Sequence, residues 1–176
     1  GSQGAGMEAE YSQPYEIDKI SAQCPSVCGI NASLVGEGIP IVFVAVNEKK
    51  SMPVSTIMQI LVNDIGLRPK ILVAHDADPI SNNLGLLAWY ASGNIDPAAD
   101  CKVIPTPSGG VLCVDSTAKT LEDDGFRRQW PEVAMMDSET IKRVDCRMDM
   151  QIFEKLMPSP SIILQNLRYN CGAVRF

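Results

Sequence analysis

Ile39-Pro-Ile-Val-Phe-Val-Ala-Val46 is apolar throughout and rich in β-branched residues. A strand with one wet face alternates apolar and polar positions, whereas a run without alternation suits a strand covered on both faces. The stretch therefore predicts a central strand of a sheet with helices on either side. Upstream, Val27 to Leu34 reads as a second strand, and Val35-Gly-Glu-Gly38 as the short turn that pairs the two in a hairpin. Pro14 to Gln23 reads as a short helix ended by Cys24-Pro25.

Downstream, Ser51-Met52-Pro53 reads as a helix start, with Ser51 as N-cap and Pro53 in the first turn. Val54, Ile57, Met58, Leu61 and Val62 then share one helical face, and Gly66 is the expected stop. Lys70 to Ala74 is a third strand. Asn82 or Asn83 caps a second helix bearing Leu84, Leu86, Leu87 and Trp89, which Gly93 and Pro97 end. Cys101 to Ile104 is a fourth strand. A helix followed by a strand, twice over, argues for a single α/β domain with a mixed sheet layered with helices.

From Pro105 the texture changes. Pro105 to Gly110 is a turn-rich loop, Val111 to Val114 one more short strand, and Asp123 to Pro131 a mixed loop. Asp137-Ser138 caps a helix through Ile141 and Val144, extended by Met150 to Met157. The tail keeps Ile162, Ile163, Leu164, Leu167 and Phe176, apolar surface that is costly unless covered by the domain or a partner. The expected divisions are an expression-tag remnant at 1–6, with Met7 as the native start, the α/β domain at 7–157, and a C-terminal tail at 158–176 that packs back on the domain or docks on a partner.

At 176 residues, 45% apolar and 20% charged, the chain has the bulk of one soluble globular domain. A net charge of −6 with no stripe of cations argues against nucleic acid. Ile39–Val46, the longest apolar run, is too short to cross a bilayer, and no signal peptide is visible; a cytoplasmic protein is expected. The six cysteines include one C-x3-C pair, Cys24 and Cys28, but structural zinc usually needs a second ligand pair, and the chain has a single histidine. Reduced thiols are the expectation.

Three stretches could carry chemistry. His75-Asp76-Ala77-Asp78 follows a buried strand, where open α/β sheets place ligands. His75 could act as a general base, or the three could hold a metal; the favoured reading is that Asp76 and Asp78 cap the following turn. Pro107-Ser-Gly-Gly110 could cradle a phosphate, but no Lys or Ser/Thr follows in P-loop register, so a loop needing positive φ fits better. Phe126-Arg127-Arg128-Gln129-Trp130 could grip an anion, or Arg127 could pair with a neighbouring acid while Trp130 fills the core. No complete catalytic set appears.

The order of these motifs resembles the C-terminal domain of the UbiD family, which removes or adds CO2 on aromatic and unsaturated acids using prenylated FMN. Leu72-Val73 leads into Asp76-Ala-Asp78, followed by Trp89, Asp96-Pro97 and Val103-Ile104-Pro105. Val114-Asp115-Ser-Thr-Ala-Lys119 comes next, then Gly125-Phe-Arg-Arg-Gln-Trp-Pro131. The resemblance runs over roughly Tyr15 to Val144. It implies that the family's catalytic residues, its metal and most flavin contacts lie in an N-terminal domain that this sequence lacks. No catalytic, cofactor or metal residue therefore carries over. The family's C-terminal domain borders the flavin pocket and builds subunit contacts, which would put Ile104, Pro105 and Thr106 near such a pocket. The implied role is a small subunit or domain for oligomerisation and pocket closure, inactive alone, partnered by itself or by a catalytic chain of the N-terminal type. Two positions depart from the pattern: Asn94 stands where the family often has Arg, and His75 where an acid is common. Three other readings stand beside this one: an assembly protein keeping only the fold, an independent enzyme using His75 with Asp76 or Asp78, and a cysteine-based metal or redox module.

Overall fold

The computed structural model describes residues 15–47, 52–76, 82–119, 136–147 and 162. Ordered by sequence, its elements are α1 (Ile17–Gln23), β1 (Val27–Asn31), α2 (Ser33–Gly36), β2 (Ile41–Val46), α3 (Val54–Gln59) with a π-helical continuation (Ile60–Asp64), β3 (Ile71–His75), α4 (Leu84–Gly93), α5 (Pro97–Asp100), β4 (Cys101–Thr106), β5 (Gly109–Asp115) and α6 (Ser138–Asp145). The strands make one mixed sheet in the order β1-β2-β3-β5-β4. β2, β3 and β5 run parallel in the middle, while β1 and β4 are antiparallel edges.

Strand periodicity sorts the core into two layers. Val42, Val44 and Val46 of β2, Leu72 and Ala74 of β3, and Val111 and Cys113 of β5 pack with Ile20 of α1 and with Val54, Ile57, Met58, Leu61 and Val62 of α3. The alternate residues Phe43, Val73 and Val114 pack against Leu87 and Ala91 of α4. Burial on both faces is why β2 reads as an unbroken apolar run. The hairpin, the helix face of α3, the stop at Gly66 (φ +85°) and the Asn83 cap, which accepts the Leu86 N–H at 3.1 Å, follow the sequence reading.

The structure differs in four places. The first strand ends at Asn31, because Asn31 Oδ1 accepts the Ser33 N–H and starts the short helix α2. The cap of α3 is Pro53, without a side-chain bond, and Ser51 lies outside the described residues. Pro97 starts α5, capped by Asp96 accepting the Ala98 N–H, as well as following the end of α4. The largest difference concerns the last two strands. Cys101–Thr106 is an edge, consistent with Pro105 lacking a ladder donor. The stretch read as a short strand after a loop is β5, inserted between β3 and β4 and starting at Gly109, whose φ is +128°. The hydrophobic run Val111–Val114 carries the same signature as β2, and its neighbouring turn glycines obscure it.

Among the described residues no helix is long and apolar enough to cross a membrane. The 1–6 and 158–176 divisions, the 123–131 loop and the 150–157 helix extension fall outside the described residues.

Candidate functional site

The carboxyl ends of β3 and β5 lie side by side, with Ala74 opposite Asp115. His75, the last residue of β3, is 1% exposed and meets Phe43 edge-on, ring centroids 6.3 Å apart. Burial pushes its pKa down to about 4, so the ring is neutral at neutral pH. Asp76 takes a different environment: its Oδ1 accepts the Tyr90 hydroxyl of α4 and its Oδ2 accepts the Ala118 N–H beyond β5. Ser116 adds a third tie, donating from Oγ to the Ala74 carbonyl at 2.6 Å. His75 and Asp76 thus follow each other in sequence but serve separate places, one in the core and one in a hydrogen-bonded junction. Asp78 and Arg127 lie outside the described residues. Among the described residues, no three His, Cys, Asp or Glu side chains gather as a metal site.

Lys119 stands in the sequence reading only as the end of a motif, without a role of its own. Its ammonium is 3% exposed and donates to the Asp115 and Thr117 carbonyls, both at 2.9 Å, and to Asp115 Oδ1 at 3.1 Å. Asp100 Oδ2 stands 3.4 Å away and also accepts the Asp96 N–H at 2.7 Å. Burial raises the Asp100 carboxyl above its usual range, partly offset by the Asp96 amide and by Lys119. Asp115 Oδ1 in turn receives the Thr117 N–H and hydroxyl. Asp115-Ser-Thr-Ala-Lys119 is therefore a folded knot that ties the end of β5 to the α5 turn. Its signal in the sequence is an acid and a lysine four apart directly after a strand.

Beside this knot, between α3 and the β4–β5 hairpin, lies a cavity of about 380 Å³. Val54, Met58, Ile104 and Pro105 give it apolar walls; Gln59, Asn63, Asp100, Lys102 and Asp115 give it polar ones. Of the three residues expected near a pocket, Ile104 and Pro105 line this one, while Thr106 sits at the far end of β4 with its hydroxyl 3.3 Å from Ser108. A flavin mononucleotide needs donors or cations for its phosphate. The charged groups lining the cavity are two carboxylates and one lysine, and the Lys119 ammonium is already engaged by acceptors. These residues do not form a phosphate cradle by themselves. Burial lifts the Cys113 thiol to about 11 and raises that of Cys24, which disfavours the reactive thiolate at those two positions.

The fold with its hairpin edge is similar to that of UbiD-class decarboxylase chains. One chain of vanillic acid decarboxylase from Sedimentibacter hydroxybenzoicus, in its open form, superposes with a TM-score of 0.54 at 16% identity, covering 75% of this chain and 32% of that one. The evolved dimeric form of the UbiD-class enzyme HmfF from Pelotomaculum thermopropionicum, in complex with prFMN, gives 0.50 at 12% identity, over 73% of this chain and 28% of that one. At such identities the likeness is one of fold. Curated relatives, themselves uncharacterised, occur in Archaeoglobus fulgidus, 33% identical over 89 residues, and in Aquifex aeolicus, 32% over 75 residues. These matches cover 43% and 36% of this chain, and the chain spans less than a fifth of the length of either relative (18% and 15%). No family model matches the chain.

Proposed function

We propose that this chain is the C-terminal assembly and pocket-closing part of a UbiD-like carboxy-lyase acting on aromatic or unsaturated acids. The observation that carries the proposal is the asymmetry of coverage: three-quarters of this chain matches about a third of a UbiD-class decarboxylase chain. The ordered motifs from Asp76 through Trp89, Asp96-Pro97 and Ile104-Pro105 to Asp115 and Lys119 support the same reading. In this role a catalytic domain of the N-terminal type, in another chain or in a longer version of this one, supplies prenylated FMN, the metal and the acid/base groups. Prenylated FMN, when bound there, supplies the electron sink for decarboxylation. This chain's contribution is steric: apolar side chains such as Ile104 and Pro105 border the pocket and exclude water. Self-association completes the assembly.

A second reading, an assembly protein that keeps only the fold, is favoured by Asn94. Where the family often has Arg, Asn94 is buried and its amide donates to the Tyr90 carbonyl at 2.9 Å, a structural bond. An assay of the chain with prenylated FMN and a panel of aromatic acids separates the readings from an independent enzyme. No CO2 is expected from the chain alone; release of CO2 would overturn both.

A further inference from the structure

Arg68 and Lys70 flank Pro69 just before β3, and the turn Pro107-Ser108 joins β4 to β5. The parallel pairing of β3 with β5 brings these two segments together at the amino ends of both strands, opposite the end that holds the Asp76 junction. There Arg68, Lys70, Thr106, Ser108 and Gly110 line a small pocket. The sequence shows no cation in register after Pro107-Ser-Gly-Gly110; the fold supplies two from the segment before β3.

Both cations are unanswered. The half-buried Arg68 guanidinium donates from Nη1 to the Val62 carbonyl and, at 2.9 Å, to the Leu67 carbonyl, which fastens it to the end of the α3 helix. Its Nε and Nη2 have no acceptor among the described residues, and the exposed Lys70 ammonium has none either. Among the described residues neither side chain is ion-paired, and no carboxylate lines the pocket. Two like charges beside one concavity repel, and an anion placed between them offsets that repulsion. Pro69, buried between them, has its φ fixed by its ring and so limits how the two stems can move apart. The Thr106 and Ser108 hydroxyls lie 3.3 Å apart. One proton lies between them, and the other hydroxyl proton is left to donate outward.

The number and charge of the donors select the ligand. The pocket's volume of about 20 Å³ admits one water-sized group, such as a single oxygen, so the rest of the ligand stays outside. A carboxylate brings one charge and is satisfied by the guanidinium fork alone. A phosphate monoester brings about −1.5 to −2 at neutral pH and three acceptor oxygens, a match for two cations and a hydroxyl pair. We infer that this pocket binds a phosphate group, free or as a monoester, with one oxygen seated between Arg68 and the Thr106–Ser108 hydroxyls and Lys70 answering the outer oxygens. The decarboxylase reading does not use this end of the sheet, and either can fail without the other.

The test is a 1H–15N NMR titration of the full chain with inorganic phosphate and with glycerol 3-phosphate, beside acetate at matched ionic strength. Both phosphates are expected to give saturable shifts at the Lys70, Thr106, Ser108, Gly109 and Gly110 amides, with acetate at least about tenfold weaker. Tighter binding of glycerol 3-phosphate would assign the site to the end of a larger ester, and tighter binding of inorganic phosphate to the free ion; each supports the inference. Lys70→Glu reverses the charge of an exposed side chain that has no partner among the described residues. It is expected to weaken phosphate at least about tenfold while the melting temperature stays that of the native chain. Lys142→Glu, the same change of charge at an exposed position on α6, is expected to leave binding within about twofold, since exposed charges more than a Debye length apart are screened. Absence of saturable shifts at these amides, acetate binding as tightly as phosphate, or a folded Lys70→Glu that binds phosphate no more weakly than Lys142→Glu would each overturn the inference.

Discussion

The Tyr90 hydroxyl donates to Asp76 Oδ1 at 2.5 Å, while the other oxygen of the same carboxylate accepts the Ala118 N–H at 3.0 Å. One side chain thereby joins α4 to the ends of both β3 and β5. A turn acid after a buried strand suggests a cap, a base or a metal ligand; here the carboxylate is a junction between three elements. Tyr90→Phe keeps the ring and removes one bond to a charged acceptor, a loss of about 1.5–3 kcal/mol. Urea unfolding should show a lower midpoint with an unchanged slope; an unshifted midpoint would mean that the bond contributes nothing.

Lys119 makes a second prediction. Lys119→Met fills similar volume but leaves Asp115 and Asp100 facing each other in a poorly solvated place. Removing one partner from a buried ionic group costs about 3–5 kcal/mol. The double variant Lys119→Met with Asp100→Asn should regain part of that loss, because one of the stranded charges is gone. Thermal unfolding of the two variants checks the order; a double variant less stable than the single one would contradict this description of the knot.

His75 sets a pH dependence. Its pKa is about 4 in the fold, against the usual 6.5 when unfolded. Between those values the unfolded chain binds a proton that the folded chain does not, so the contribution is complete above about pH 6.5 and shrinks as pH falls toward 4. Across that window the contribution amounts to at most about 3 kcal/mol, since a tenfold difference in proton affinity corresponds to roughly 1.36 kcal/mol. His75→Met should flatten the stability profile over the same range. A profile unchanged by the substitution would show that the ring is not the group responsible.

The sequence made the sheet's interior legible because burial on both faces suppresses alternation, and Ile39–Val46 shows this without ambiguity. It made β5 hard to read because Gly109 and Gly110, needed for a tight hairpin, sit at the start of the strand and look like loop. Strand order was hidden for a related reason: nothing local in Cys101–Thr106 except Pro105 says that the strand lies outside its successor. The site was legible in part. His75 and Asp76 stand out as polar residues after an apolar run, but adjacency in sequence does not tell that the first is buried against Phe43 while the second, just past the strand end, is bonded to Tyr90 and Ala118. The Lys119 knot depends on Asp100, distant in sequence, and only the fold brings that carboxylate to the lysine.

The central claim is that this domain serves a flavin-bearing catalytic partner. Affinity capture with the chain as bait in its source cells, with mass spectrometry and flavin absorbance of what is retained, tests it most directly. The expected result is a larger chain of the UbiD N-terminal type, recovered with bound flavin in a stoichiometric complex. Recovery of colourless copies of this chain alone would contradict the claim.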